Sequence, residues 1–230
     1  MKTIGLVGGA SWVSTADYYK LLNEKVNKQL GGDNFAKCII YSFNFAQLVE
    51  WSHKGEWDKM LESVTDISRN LKTSGAEGII LCANTMHLIA DDLRKRIDIP
   101  IIHIAEETAK IIAEKGLRKV ALLGTRFTME NDFFKKKLAE KQIQTLIPSD
   151  AERDFIHRSI FDELGKDIFK QETKNEYISI IDRLTSEGAE GIILGCTEIP
   201  LLIKQPDTKI PLFDTLNIHV DACLKFAFGG

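Results

Sequence analysis

Short apolar runs rich in β-branched residues recur along this chain, and longer stretches with apolar residues every three or four positions separate them. The runs at 4–8, 38–43, 78–82 and 99–103 predict four strands in the first half. Those at 120–124, 144–147, 191–195 and 210–213 predict four in the second. Met60, Leu61, Val64, Ile67 and Leu71 fall at helical spacing, as do Tyr177, Ile180, Ile181 and Leu184. Strands that read as continuous apolar runs, separated by amphipathic helices, imply an α/β fold whose parallel sheets are covered on both faces.

One pattern occurs twice. Gly75-Ala76-Glu77-Gly78-Ile79-Ile80-Leu81 returns, residue for residue, as Gly188-Ala189-Glu190-Gly191-Ile192-Ile193-Leu194. Cys82 follows the first copy directly, and Cys196 follows the second after an inserted Gly195. Residues 2–8 resemble 119–124, and Ile99-Pro100-Ile101 resembles Ile210-Pro211-Leu212. Two copies, each spanning more than about 100 residues, argue for two related α/β lobes and against a solenoid. Open α/β sheets take their ligands beyond the carboxyl ends of the strands. Both cysteines are expected there, in register in their own lobes, so that two pseudo-symmetric lobes facing one another would turn two thiols on one cleft.

Composition narrows the class. The chain has 230 residues, with Lys+Arg 30 against Asp+Glu 33 and a net charge of −3. That balance carries no electrostatic footprint for nucleic acid or an anionic membrane surface. No apolar run approaches the roughly 20 residues of a membrane span, and the start of the chain does not read as a signal peptide. A cytoplasmic location is expected. The four cysteines, with no CxxC pair and no zinc spacing, are expected as free thiols. Cys38 and Cys223 lack any chemical context and are expected in the core.

Each remaining thiol sits just before a predicted helix start, Cys82-Ala83-Asn84-Thr85 and Cys196-Thr197-Glu198. Free N–H groups at such a start favour an anion, so both thiol pKa values are expected to fall. Asn84, Thr85 and Thr197 are suited to capping or to holding a carboxylate. A lone strand-end cysteine is ordinarily packing; two in a duplicated motif point to chemistry. Opposed thiols suit inversion at carbon, one removing a proton and the other delivering one to the opposite face, with hydrogen-bond donors stabilising the carbanion.

At these residues the chain resembles the cofactor-independent aspartate/glutamate racemases of the Asp/Glu/hydantoin racemase superfamily. The resemblance runs through 2–9, Ser11-Trp12, Ser14-Thr15, Cys82-x-Asn84-Thr85-Met86-His87, 123–129 and Gly195-Cys196-Thr197-Glu198. It implies two lobes, roughly 1–98 with 209–230 and 99–208, with the active site in the cleft between them. It also implies catalytic Cys82 and Cys196, no pyridoxal phosphate or other cofactor, no metal, an amino-acid substrate and a homodimer. By analogy Cys196 acts on the L enantiomer and Cys82 on the D. Asn84, Thr85 and Thr197 are implied as substrate ligands, with Ser11 and Thr125 nearby. Glu198, where some glutamate racemases have a histidine, would assist Cys196, bind the substrate ammonium or simply favour a helix dipole. Some aspartate racemases carry an arginine after the second strand; here Asn44-Phe45-Ala46-Gln47-Leu48 has no basic residue. Arg126 and Lys166 are the remaining candidates for a distal carboxylate, against the plain alternative of solvated surface charges.

Other readings are weaker. The Gly5-to-Gly9 turn lacks the dinucleotide fingerprint, and separated cysteines disfavour a redox enzyme. A non-catalytic amino-acid-binding protein, or another isomerase or decarboxylase of the same superfamily, would use the same strand ends. His87, His103 and His219 read as structural, while His53 and His157 stand in polar surroundings. Trp12 is a candidate cleft wall; Trp51 and Trp57 read as packing or interface.

Overall fold

All eight predicted strands form in the computed structural model, which describes residues 1–229, and every pairing is parallel. The first sheet holds β1 (Ile4–Gly8), β2 (Cys38–Ser42), β3 (Gly78–Leu81) and β4 (Ile101–Ile102) in the order β2-β1-β3-β4. The second holds β5 (Lys119–Leu123), β6 (Gln144–Leu146), β7 (Ile192–Leu194) and β8 (Leu212–Asp214) in the order β6-β5-β7-β8. Numbered within each half, the two orders are the same.

Helices connect the strands. The first half carries α1 (Trp12–Leu30), α2 (Phe45–Lys54), α3 (Trp57–Thr73) and α4 (Ala90–Arg94). The second carries α5 (Ile104–Glu114), α6 (Arg126–Glu130), α7 (Asp132–Glu140), α8 (Asp150–Asp162), α9 (Gln171–Ser186) and α10 (Ile199–Leu202), and α11 (Thr215–Phe228) is the last element among the described residues. The five periodic positions of α3 and the four of α9 are all buried. Each such aliphatic side chain contributes about 1.5–3 kcal/mol on leaving water.

The duplicated heptapeptide has a structural reason. Gly75 and Gly188 take φ of +102° and +95°, a left-handed backbone that ends α3 and α9 where a side chain would be strained. Ala76 N–H then bonds Leu71 O and Ala189 N–H bonds Leu184 O, both at 2.9 Å. Glu77 N–H reaches Thr3 O and Glu190 N–H reaches Lys119 O, both at 2.8 Å, which sets each following strand against its central neighbour.

The chain divides into two compact units, Met1–His103 with the segment from His219 onward, and Ile104–Ile218. These limits differ from the 98/99 and 208/209 boundaries expected from sequence. Ile79 and Ile80 pair with Ile101 and Ile102, so β4 stays with the first sheet. Ile192, Ile193 and Leu194 pair with Leu212, Phe213 and Asp214, so β8 stays with the second. The division falls inside α11, and Gly230 lies outside the described residues. Among the described residues no helix is long and apolar enough to cross a membrane.

Cys223 is fully buried, as expected, but Cys38 is only half-buried because β2 is an edge strand whose last three residues are exposed.

Candidate active site

In the first unit, Cys82 extends the ladder one residue past β3: its N–H bonds Val7 O at 2.9 Å. Its carbonyl accepts the Ser14 hydroxyl at 2.9 Å. The neighbouring turn after β1 is built for close approach. Gly9 has φ +87°, and a Cβ there would strike the Phe43 backbone. Ser11 caps α1 by accepting Ser14 N–H at 3.3 Å, and it does so at φ +133°, a position strained for any L side chain. Thr15 latches this turn, accepting Gly9 N–H at 2.9 Å and donating to Ser11 O at 3.0 Å. Ser14 and Thr15 belong to the stretch that carries the resemblance, but nothing in the sequence assigns them these bonds. The available signal was a run of small hydroxyl residues opening a helix beside a glycine turn.

In the second unit the equivalent ladder position belongs to Gly195, not to a cysteine. Gly195 N–H bonds Leu123 O at 2.7 Å, and an added Cβ would lie 2.8 Å from that oxygen and 3.0 Å from Leu122 Cδ1. No side chain fits, so the thiol stands one residue further on. The two cysteines share a strand end but not a register, which corrects the expectation of in-register thiols. Cys196 is half-buried, whereas Cys82 is 1% exposed.

Cys196 has a side-chain partner. Its S–H donates to Glu198 Oε2 at 2.8 Å, and Thr197 Oγ1 donates to the same oxygen at 3.0 Å. Thr197 therefore serves a carboxylate and caps nothing; the cap of α10 is Glu198 itself, with no side-chain hydrogen bond to the helix. After Cys82, Asn84 is buried and Thr85 half-buried in a 3-10 turn, Asn84–Ile89, whose cap is Ala83. Thr125 caps α6, accepting Thr128 N–H at 3.3 Å.

Both thiols are pushed up from the ordinary cysteine pKa, opposite to the expected fall. Burial is the main cause at Cys82. At Cys196 burial leads, and the charge and hydrogen bond of Glu198 add to it. The N–H groups of Thr197 and Glu198 pull Cys196 down without offsetting those effects. A four-residue helix and a 3-10 turn supply too little aligned dipole to overcome desolvation. Burial thus favours the thiol form at both cysteines, and of the two Cys196 has its S–H hydrogen-bonded to a carboxylate.

The two candidate cations differ in their partners. Arg126 bonds Asp150 at 2.7 Å, Glu130 at 2.9 Å and also Asp154. Arg153 braces the same group through Glu130 at 3.0 Å and Asp150 at 2.9 Å. Lys166 is exposed, 3.9 Å from Asp162. Arg126 is thus committed to carboxylates, whereas Lys166 keeps its ammonium in solvent. Trp12 is 75% exposed, while Trp51 and Trp57 pack on the first unit's core.

Comparison with known proteins decides the family. The Asp/Glu/hydantoin racemase family matches residues 7–223. The chain belongs to that family. It is 24% identical over 224 residues to the broad specificity amino-acid racemase RacX of Bacillus subtilis, covering 96% of this chain and 94% of that one. A Yersinia pestis protein provisionally assigned as an Asp/Glu racemase superposes with a TM-score of 0.95 at 41% identity, over 99% of this chain and 100% of the other. An aspartate racemase homologue from Pyrococcus horikoshii gives 0.90 at 37% identity, over 99% and 100%. The α/β architecture, with its two parallel four-stranded sheets, is that of the Asp/Glu racemases.

Proposed function

We propose that the protein interconverts L- and D-amino acids, aspartate and/or glutamate first among them, by a two-base reaction of Cys82 and Cys196 without pyridoxal phosphate. The observation that carries this reading is the pair of free thiols, one beyond the third strand of each unit, with a carboxylate on the second. Glu198 takes the Cys196 proton, leaving a thiolate. The thiolate removes the α-proton, and the electron pair left on carbon delocalises into the substrate carboxylate. Cys82 then gives its thiol proton to the opposite face, leaving its own thiolate for the reverse reaction. In that reverse direction Cys82 is the base and Cys196 the acid. Backbone N–H groups and the hydroxyls of Ser11, Thr85 and Thr125 are the donors available for the carboxylate as charge builds.

Aspartate and glutamate are supported by the family and by the aspartate racemase homologue among the structural relatives. The broad specificity relative puts homoserine and other amino acids in the same assay. Purified protein incubated with single enantiomers in deuterated water should produce the opposite enantiomer with deuterium at the α-carbon. Binding without α-proton exchange for every amino acid tried would instead establish an amino-acid-binding protein.

A further inference from the structure

The first unit contains a buried group that the proposed reaction leaves unused. His87, on the 3-10 turn after Cys82, is 1% exposed, yet an aliphatic residue would fill that place with no polar atom to desolvate. Its Nδ1 lies 3.1 Å from Ala83 O. A carbonyl only accepts, so Nδ1 carries the proton and donates it, and Nε2 is left as a bare lone pair. Nε2 is buried with no hydrogen-bond partner. A buried acceptor left unmade is costly, and a side chain that tolerates it has another reason to be there.

The surroundings hold this ring in one orientation. His103, just after β4, packs edge-on with ring centroids 4.7 Å apart, and His219 of α11 does so at 5.4 Å. His219 is fixed in turn: its Nε2–H donates to Ile102 O at 2.8 Å, and its Nδ1 accepts the Tyr18 hydroxyl at 2.7 Å. Four separate segments of one unit thus fix a single imidazole donor. Its acceptor, the Ala83 carbonyl, also takes Met86 N–H at 3.2 Å and belongs to the residue between Cys82 and Asn84. Orienting that peptide orients the thiol on one side and Asn84 with Thr85 on the other.

We propose that His87 is a positioning residue for Cys82, acting through its Nδ1–H on the Ala83 carbonyl, so that a donor at this one ring position is what the reaction requires. The inference rests on the two-thiol reading and adds to it an asymmetry. Cys196 is placed by a side chain two residues along the chain, whereas Cys82 is placed by a peptide held by His87, whose ring distant histidines pack against.

Three substitutions separate this from plain packing. His87→Asn puts an amide N–H where Nδ1–H stood, His87→Gln puts one near Nε2, and His87→Leu keeps bulk with no donor. The measurements are kcat and KM in both directions, primary isotope effects with α-deuterated D and L substrate, and alkylation rates of Cys82 and Cys196 by peptide mass. His87→Asn should stay within about threefold of wild type, while His87→Gln and His87→Leu lose about 100-fold in kcat with little change in KM, as for a misplaced reacting group. The isotope effect should rise only in the direction in which Cys82 is the base, and Cys82 alkylation should change while Cys196 alkylation does not. If all three variants fall together in step with their melting temperatures, or Cys82 alkylation is untouched in His87→Gln and His87→Leu, the proposal is overturned. If His87→Leu does not fold, the contrast between His87→Asn and His87→Gln decides. Should wild type exchange no α-proton, the racemase reading falls by itself, and the alkylation contrast still judges His87.

Discussion

The turns after β3 and β7 begin from the same seven residues and end in different chemistry. After β3 the thiol continues the ladder and is sealed from solvent, with its peptide held by Ser14 on one side and its neighbour's by His87 on the other. After β7 a glycine takes the ladder position, and the thiol steps out to meet Glu198. A repeat preserves backbone geometry, because that geometry follows from helix-stopping glycines and strand pairing. It does not preserve the proton affinity of a side chain, which depends on whatever the rest of its unit brings near.

The largest test of this comparison removes each thiol in turn. Cys82→Ser and Cys196→Ser should each lower racemisation by at least about 10³-fold, since a serine hydroxyl is far too weak an acid for either role. Chiral chromatography would show it, and full activity in either variant would end the two-base model.

Acid should separate the two units. Burial holds His87 well below its ordinary pKa, and His219 is pushed down to about 4. Both are neutral in the fold and gain a proton on unfolding, so their stabilisation is full above about pH 6.5. It is lost as pH falls toward 4, by about 3 kcal/mol for His219 at roughly 1.4 kcal/mol per unit. The second unit contains a single histidine, His157, and it is only half-buried. All 3 tryptophans, Trp12, Trp51 and Trp57, lie in the first unit. Tryptophan emission should therefore shift in mild acid before far-UV ellipticity falls; simultaneous loss would contradict this order.

Glu198→Gln makes the second turn more like the first. It removes the proton acceptor, so kcat should drop by about 10–100-fold, the scale of a lost general base. It also removes the charge that raises Cys196, so the pH midpoint for Cys196 alkylation should move down while that of Cys82 stays. Unchanged turnover would reassign Glu198 to structure. The smallest effect is expected at Arg126, which three carboxylates already hold. Arg126→Gln should leave KM for aspartate and homoserine within about twofold of wild type, as for an exposed ion pair. A rise for aspartate alone would return Arg126 to the substrate.

Much of this is legible in the amino-acid sequence alone. Apolar runs locate eight strands, periodicity locates the buried faces of α3 and α9, and the duplication locates Cys82 and Cys196 at two strand ends. The limits of the compact units fall elsewhere than 98/99 and 208/209 because β4 and β8 are only two and three residues long, and their membership is decided by partners far away in sequence. Within the site, Glu198 was legible because it stands two residues from Cys196. The histidine cluster was not, because His87, His103 and His219 meet only through the packing of the 3-10 turn, β4 and α11.

The sequence by itself determined the elements, their repetition and the identity of the thiols, because these follow from local stereochemistry and from side-chain periodicity. The tertiary structure decided which way each thiol pKa moves, why Cys196 stands one residue out of register, and what holds Arg126. Desolvation, a blocked Cβ at Gly195 and ion pairing with α8 are set by atoms that only folding brings within a few ångströms.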